Sequence, residues 1–161
     1  MFWKIYDYQL RKAEKKTNFS YAGLKFKAKV VDIYDGDTLT VVFRYRGQLQ
    51  QHRCRMLGYD SPEMKPLRSK KGRDKEIEKA KEAKEALSNL IFGHNGGIVK
   101  IKCHQFDKYG RLLIDLYIPK GCVCLCSYNK IWVNQWMINN NYGYVYDGGT
   151  KKEFKIDSDK V

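Results

Sequence analysis

No stretch of eighteen or more apolar residues occurs in the sequence, which leaves no candidate for a membrane-spanning helix. The opening residues do not read as a secretory leader either. Lys4, Asp7 and Arg11 interrupt Phe2, Trp3, Ile5, Tyr6 and Leu10, and no small-residue cleavage site follows. Acidic residues are in short supply: 18 Asp and Glu stand against 31 Lys and Arg, a formal charge of +13. That imbalance points to a polyanionic partner, because neutralising phosphates releases condensed counterions. A basic amphipathic helix with a broad apolar face is lacking, which argues against a membrane as that partner. The five cysteines (Cys54, Cys103, Cys122, Cys124 and Cys126) lack the C-x2-C spacing of a zinc knuckle. An odd number in a chain long enough to bury its own core predicts free thiols and, with no leader, an intracellular setting. Internal repeats and low-complexity segments are absent.

What is present suits one domain. Residues 1–22 read as an N-terminal extension and residues 23–161 as the folded domain. From Leu24 the pattern has period two: Phe26, Ala28 and Val30 alternate with Lys25, Lys27 and Lys29, as in a half-buried strand. Asp35-Gly36 and Arg46-Gly47 supply turns around a second strand over 38–44. A third strand over 48–57 carries His52, Arg53 and Arg55, and Pro62 ends its ladder. Helical spacing of Ile77, Ala80, Ala83, Leu87, Leu90 and Ile91 predicts a helix over 75–92, with Asp74 at its start and Gly93 at its stop. Strands over 98–106 and 111–118 follow, then a short strand at 122–126 and a second helix over 131–140. Three strands, a helix, two strands and a helix is the element order of a five-stranded OB-fold barrel, an α+β chain that is mainly β. The expected helices are one inserted after strand 3 and one or two near the C-terminus.

The chemistry gathers in two places. Residues 34–63 bring together Asp37, Asp60, Glu63 and Arg55. Carboxylates in turns and at strand ends hold hard cations through oxygen, and arginine grips phosphate with a rigid fork of donors. Each acid also has an ordinary use: turn formation for Asp37 and Asp60, and the first turn of a helix for Glu63. Arg55 is harder to explain away, since a charge inside a strand among apolar neighbours needs a carboxylate or phosphate partner. The second place is the sequence DKYGR at 107–111, whose Arg111 follows a glycine at the start of a strand.

Together these motifs resemble the staphylococcal nuclease (thermonuclease) family: DGDT at 35–38, R-x4-D-x-P-E at 55–63, and DKYGR at 107–111. The resemblance covers residues 24–146. It implies that Asp37, Asp60 and the backbone carbonyl of Ser61 hold Ca2+, and that Asp35 supports those ligands from behind. It implies that Glu63 is the general base or water-orienting residue, and that Arg55 and Arg111 bind the scissile phosphate. Lys108 and Tyr109 match substrate-phosphate positions, and Tyr144 and Tyr146 match the tyrosines of the nucleotide pocket. The implied activity is calcium-dependent endonucleolytic hydrolysis of DNA and/or RNA at the 5′ P–O bond, favouring single-stranded or unpaired regions and leaving 3′-phosphates. The alternative is a catalytically silent nucleic-acid-binding or scaffold module on the same fold, which would be expected to have lost a metal carboxylate or an arginine. All five residues are here, which favours the enzyme. Three departures accompany the likeness: the N-terminal extension, a longer segment between Arg111 and Val133 that holds the CVCLC run, and no expected counterpart of the family's long final helix after Phe154.

Overall fold

Lysine alternates with Phe26, Ala28 and Val30 along the first strand, and the alternation is realised in space, with the lysines exposed and Ala28 and Val30 buried. The structure, a computed structural model, describes residues 19–67, 72–119 and 130–147. In chain order the elements are β1 (Lys25–Ile33), β2 (Thr38–Tyr45), β3 (Gln48–Met56), β4 (Tyr59–Asp60), α1 (Arg73–Phe92), β5 (Ile98–Phe106), β6 (Leu112–Pro119), β7 (Lys130–Trp132), α2 (Val133–Asn139) and β8 (Tyr144–Val145). β1, β2 and β3 form the expected antiparallel meander. Arg46 and Gly47 both take positive φ in its second turn, as the tightest hairpins require. β5 pairs with the free edge of β1, and β6 with β5. β6 then runs parallel to β3, with Arg55 opposite Leu113, and closes the five strands into an OB-type barrel.

The inward residues of all five strands fill the barrel. Val30, Leu39, Val41, Met56, Ile101, Leu112, Ile114 and Leu116 are fully or almost fully buried. Tyr21, ahead of β1, joins this core and meets Phe26, Phe43, Tyr45, His52 and Phe106 at one end of the barrel. Packing of the chain onto the barrel therefore begins before Leu24. The rest of the N-terminal segment, from Phe2 to Leu10, lies outside the described residues, as does the CVCLC run.

α1 begins two residues before the expected start, after a left-handed Gly72, with Asp74 and Glu76 in its first turn where acids favour the helix dipole. Ala80, Ala83, Leu87, Leu90 and Ile91 form its buried stripe. Truncating a side chain such as Leu87 costs about 2–5 kcal/mol. Ile77 is only half-buried, and Glu76 takes the buried place, with its Oε1 3.5 Å from the backbone N of Glu63. The second helix is shorter than its apolar pattern suggests. Ile131 and Trp132 are strand residues, paired with Ile118 and Tyr117, and helix starts only at Val133. An open edge of β6 offers backbone partners to these residues, and that tertiary option overrides local periodicity. β4 and β8 form a small separate sheet that the sequence pattern did not predict, with Tyr59 opposite Val145 and Asp60 opposite Tyr144.

Candidate active site

The turn between β1 and β2 is wound tightly around its own carboxylates. The backbone N–H of Asp37 donates to Asp35 Oδ1 at 3.2 Å, and the Thr38 hydroxyl donates to Asp37 Oδ1 at 2.7 Å. Asp35 thus shapes the turn that presents Asp37. Gly36 is required by space and not by φ. A Cβ there would lie 2.8 Å from Ser61 Cβ and 2.9 Å from Ala83 Cβ. The small face of α1 and the missing side chain of Gly36 together let the turn approach Ser61. Tyr59, buried on β4, donates its hydroxyl to the Gly36 carbonyl, and Met56 N–H donates to the Asp37 carbonyl at 2.8 Å.

Asp37 and Asp60 are both buried, and Arg55 stands between them. Its Nη2 lies 2.9 Å from Asp37 Oδ2 and also bonds Asp60 Oδ1. The other Asp60 oxygen accepts a 2.7 Å hydrogen bond from the Tyr144 hydroxyl. Burial pushes the Asp37 carboxyl up, while the Arg55 guanidinium and the Thr38 hydroxyl pull it back. Burial likewise pushes the Tyr144 hydroxyl up, and the Asp60 carboxylate adds to the effect. Tyr144 is therefore a neutral donor that orients Asp60, whereas Tyr146 lines the cleft, with Arg55 over its ring at 5.9 Å.

The DKYGR turn is organised by its first residue. Asp107 Oδ1 accepts from the N–H groups of Tyr109 (2.8 Å) and Arg111 (2.9 Å), and Oδ2 binds Arg111 Nε at 2.7 Å. Gly110, at φ 76°, makes the reversal possible. Burial pushes the Asp107 carboxyl up, but the Arg111 N–H, the Arg111 guanidinium and the Tyr109 N–H outweigh it and hold it below the usual carboxylate range. The pair engages Nε and so leaves the two terminal nitrogens of Arg111 for a phosphate. The Tyr109 ring lies beneath both Lys108 and Arg111, at 5.1 and 5.4 Å.

One cleft of about 1010 Å³ collects these parts. Arg55, Asp60, Glu63, Lys108, Tyr109, Arg111 and Tyr146 all line it. Asp37 sits behind Arg55, and Ser61 is buried against the β1–β2 turn. Glu63 is exposed on the cleft wall, suited to meeting a water or a substrate. The donor set fits a hard divalent cation: two buried carboxylates, with a positively charged nitrogen already standing between them, and the Ser61 backbone next in the chain. Among the described residues, no three His, Cys, Asp or Glu side chains gather closely enough to hold a metal by themselves. A backbone carbonyl or substrate oxygens have to complete such a shell. Cys54 and Cys103 are buried free thiols, pushed up by burial (Cys103 to about 12), which keeps both out of nucleophilic chemistry at neutral pH.

Sequence reasoning assigned no role to Asp107, Tyr59 or Asn134. The D-x3-R spacing was the available signal for Asp107. Tyr59 had none beyond its place beside Asp60. Asn134 is a buried side chain in an apolar helix. It accepts from Leu116 N–H at 2.9 Å and donates to the carbonyls of Leu57 (2.8 Å) and Ile114 (3.1 Å), which pins α2 to the floor of the cleft.

A sequence model for the staphylococcal nuclease homologue family matches residues 53–159. The match takes in Arg55, Asp60, Glu63 and Arg111 and begins after Asp37, which the fold joins to the group through Arg55. None of the curated proteins matches the chain.

Proposed function

The chain belongs to the staphylococcal nuclease homologue family, and from that premise we propose that it is a calcium-dependent nuclease that hydrolyses phosphodiester bonds of DNA or RNA. The observation that carries this reading is the shared cleft: Asp60, Glu63, Arg55 and Arg111 reach one wall-to-wall space from three separate segments. In it, two cations face an acid that is open to solvent.

Asp37, Asp60 and the Ser61 carbonyl would hold the calcium, which when bound supplies positive charge to a phosphate oxygen and to a nearby water. The remaining work falls to side chains. Glu63 accepts a proton from the attacking water as the new P–O bond forms. The P–O5′ bond breaks in line, the 5′ oxygen leaves and is protonated from solvent, and the phosphate stays on the 3′ side. Negative charge grows on the equatorial oxygens during attack. Arg111, held through Nε by Asp107, meets that charge with its two terminal nitrogens, and Arg55, which lines the same cleft, adds a second cation. Tyr146 and Tyr109 offer π-faces to the nucleotide, which any base can use, so cleavage tolerates base identity.

A second reading is a silent nucleic-acid-binding module. The observation behind it is Arg55 itself, which pairs with both Asp37 and Asp60. Incubation of plasmid DNA, single-stranded DNA and RNA with Ca2+ or with EGTA separates the two readings. The nuclease reading expects degradation with Ca2+ and none with EGTA. Binding without cleavage under both conditions would leave the silent module.

A further inference from the structure

The outer face of the barrel carries a charge pattern that folding does not account for. In the register of β1 and β5, Lys25 stands opposite Lys102 and Lys27 opposite Lys100. Like charges directly opposed across two strands destabilise a sheet. Among the described residues, none of these four lysines has a carboxylate within ion-pair distance. Asp115 lies opposite Lys102 in the next strand, but its Oδ2 is 3.0 Å from His104 Nε2. The lysine row continues into aromatics. Tyr117 stands opposite Lys100, and Trp132 opposite Tyr117. The two rings stack at 6.3 Å with their planes 23° apart, Lys130 lies over Tyr117 at 4.4 Å, and Trp132 is 43% exposed.

We propose that Lys27, Lys100, Tyr117 and Trp132 form a second polynucleotide-binding surface, which holds the nucleic-acid strand flanking the bond in the cleft. The lysines would take phosphates, and the Tyr117–Trp132 stack would take a base. This rests on the nuclease reading for the course of the strand. β6 supplies the path: Leu113 lines the cleft, and Leu113, Asp115 and Tyr117 lie on one face of the strand. At about 3.3 Å per residue, Tyr117 is roughly 13 Å from the cleft wall, within reach of the next few nucleotides. A phospholipid surface suits the face less well, because one aromatic pair ringed by charge is not the broad apolar face that membrane insertion needs.

The test uses the full chain and the double variant Lys27→Gln/Lys100→Gln, with Trp132→Ala as a second variant. Both lysines are on the solvent side of the sheet, and their removal relieves repulsion, so the double variant is expected to melt at or above the wild-type temperature. Binding of a fluorescent oligodeoxythymidylate of roughly 20 nucleotides, longer than one OB-fold site, is followed by anisotropy in EGTA over a range of salt. The double variant is expected to bind about tenfold more weakly, with the slope of log affinity against log salt smaller by about 1.4, two phosphate contacts at about 0.7 each. Hydrolysis of a dinucleotide, too short to reach the row, is expected at the wild-type rate. Unchanged affinity and slope in a double variant that still cleaves would overturn the second surface and leave the nuclease reading standing. A wild-type protein that cleaves nothing, beside a double variant that loses oligonucleotide binding, would do the reverse. Unchanged oligonucleotide affinity with lost sedimentation on phosphatidylserine vesicles would also overturn the proposal, and assign the face to lipid.

Discussion

Arg55 Nη2 lies 2.9 Å from Asp37 Oδ2, a cation set directly against a buried carboxylate. Asp60 takes the same nitrogen from the other side. Arg55 therefore neutralises the acids, and a divalent cation held by the same carboxylates would have to share or replace it. Removing one partner of a buried ion pair costs roughly 3–5 kcal/mol, because the other charge is left uncompensated. Arg55→Ala should lose about that much stability in EGTA. Saturating Ca2+ should then raise its melting temperature by more than it raises the wild type's, since the acids regain a counter-cation. Thermal unfolding of both proteins with and without Ca2+ decides this. An equal or smaller calcium shift in the variant would mean that Arg55 and the metal do not compete for the same carboxylates.

Asp107 gives the DKYGR turn a pH signature. Its folded pKa is lowered from 3.8, so its contribution is fully present above 3.8 and is lost as pH falls through the folded value. Asp107→Asn keeps an acceptor for the turn's N–H groups but gives up the charge. The gap in melting temperature between wild type and Asp107→Asn should be full at neutral pH and shrink in acid below 3.8. A gap independent of pH would place the effect elsewhere.

The same pair predicts a kinetic hierarchy. Arg111→Ala should lower kcat on the order of 10²–10³, the scale for removing one charge-stabilising donor. Asp107→Asn, which only loosens Arg111, should lose less. The double variant should match Arg111→Ala alone, because the two side chains act as a unit. Additive losses would show that Asp107 acts independently of Arg111.

Gly36 tests how the turn that presents Asp37 is seated. Its backbone is not in the left-handed region, so Gly36→Ala is strained only by the 2.8 and 2.9 Å approaches to Ser61 and Ala83. Such overpacking costs about 1–3 kcal/mol and should push Asp37 away from Asp60. Urea unfolding and calcium titration should both register the change. Wild-type values for both would show that the turn has room to spare.

Much of the barrel was legible because strands with one wet face write their burial into the sequence as alternation, as in Lys25 to Val30. Arg55 was legible as a charge in need of partners, and Asp37 and Asp60 are those partners in space. The missed features are those decided by distant segments. Trp132 and Ile131 carry a helical pattern, but β6 recruits them as a strand. Asn134 reads locally as one polar residue in an apolar helix, and only the approach of Leu57 and Ile114 gives it three bonds. Tyr144 and Tyr146 are two residues apart in one motif, yet one orients Asp60 and the other faces the cleft. The β4–β8 pairing, which brings Tyr144 to Asp60, joins residues 84 apart in the chain.

The most direct measurement is the single-turnover cleavage rate of a short single-stranded oligonucleotide in saturating Ca2+, wild type against Glu63→Gln. The proposed mechanism predicts a rate lower on the order of 10²–10⁴ for the variant, the usual scale for a positioned acid–base group, with oligonucleotide affinity retained and 3′-phosphate ends in the wild-type products. Equal rates for the two proteins would contradict the account, because hydrolysis would then be proceeding without the acid proposed to take the water's proton.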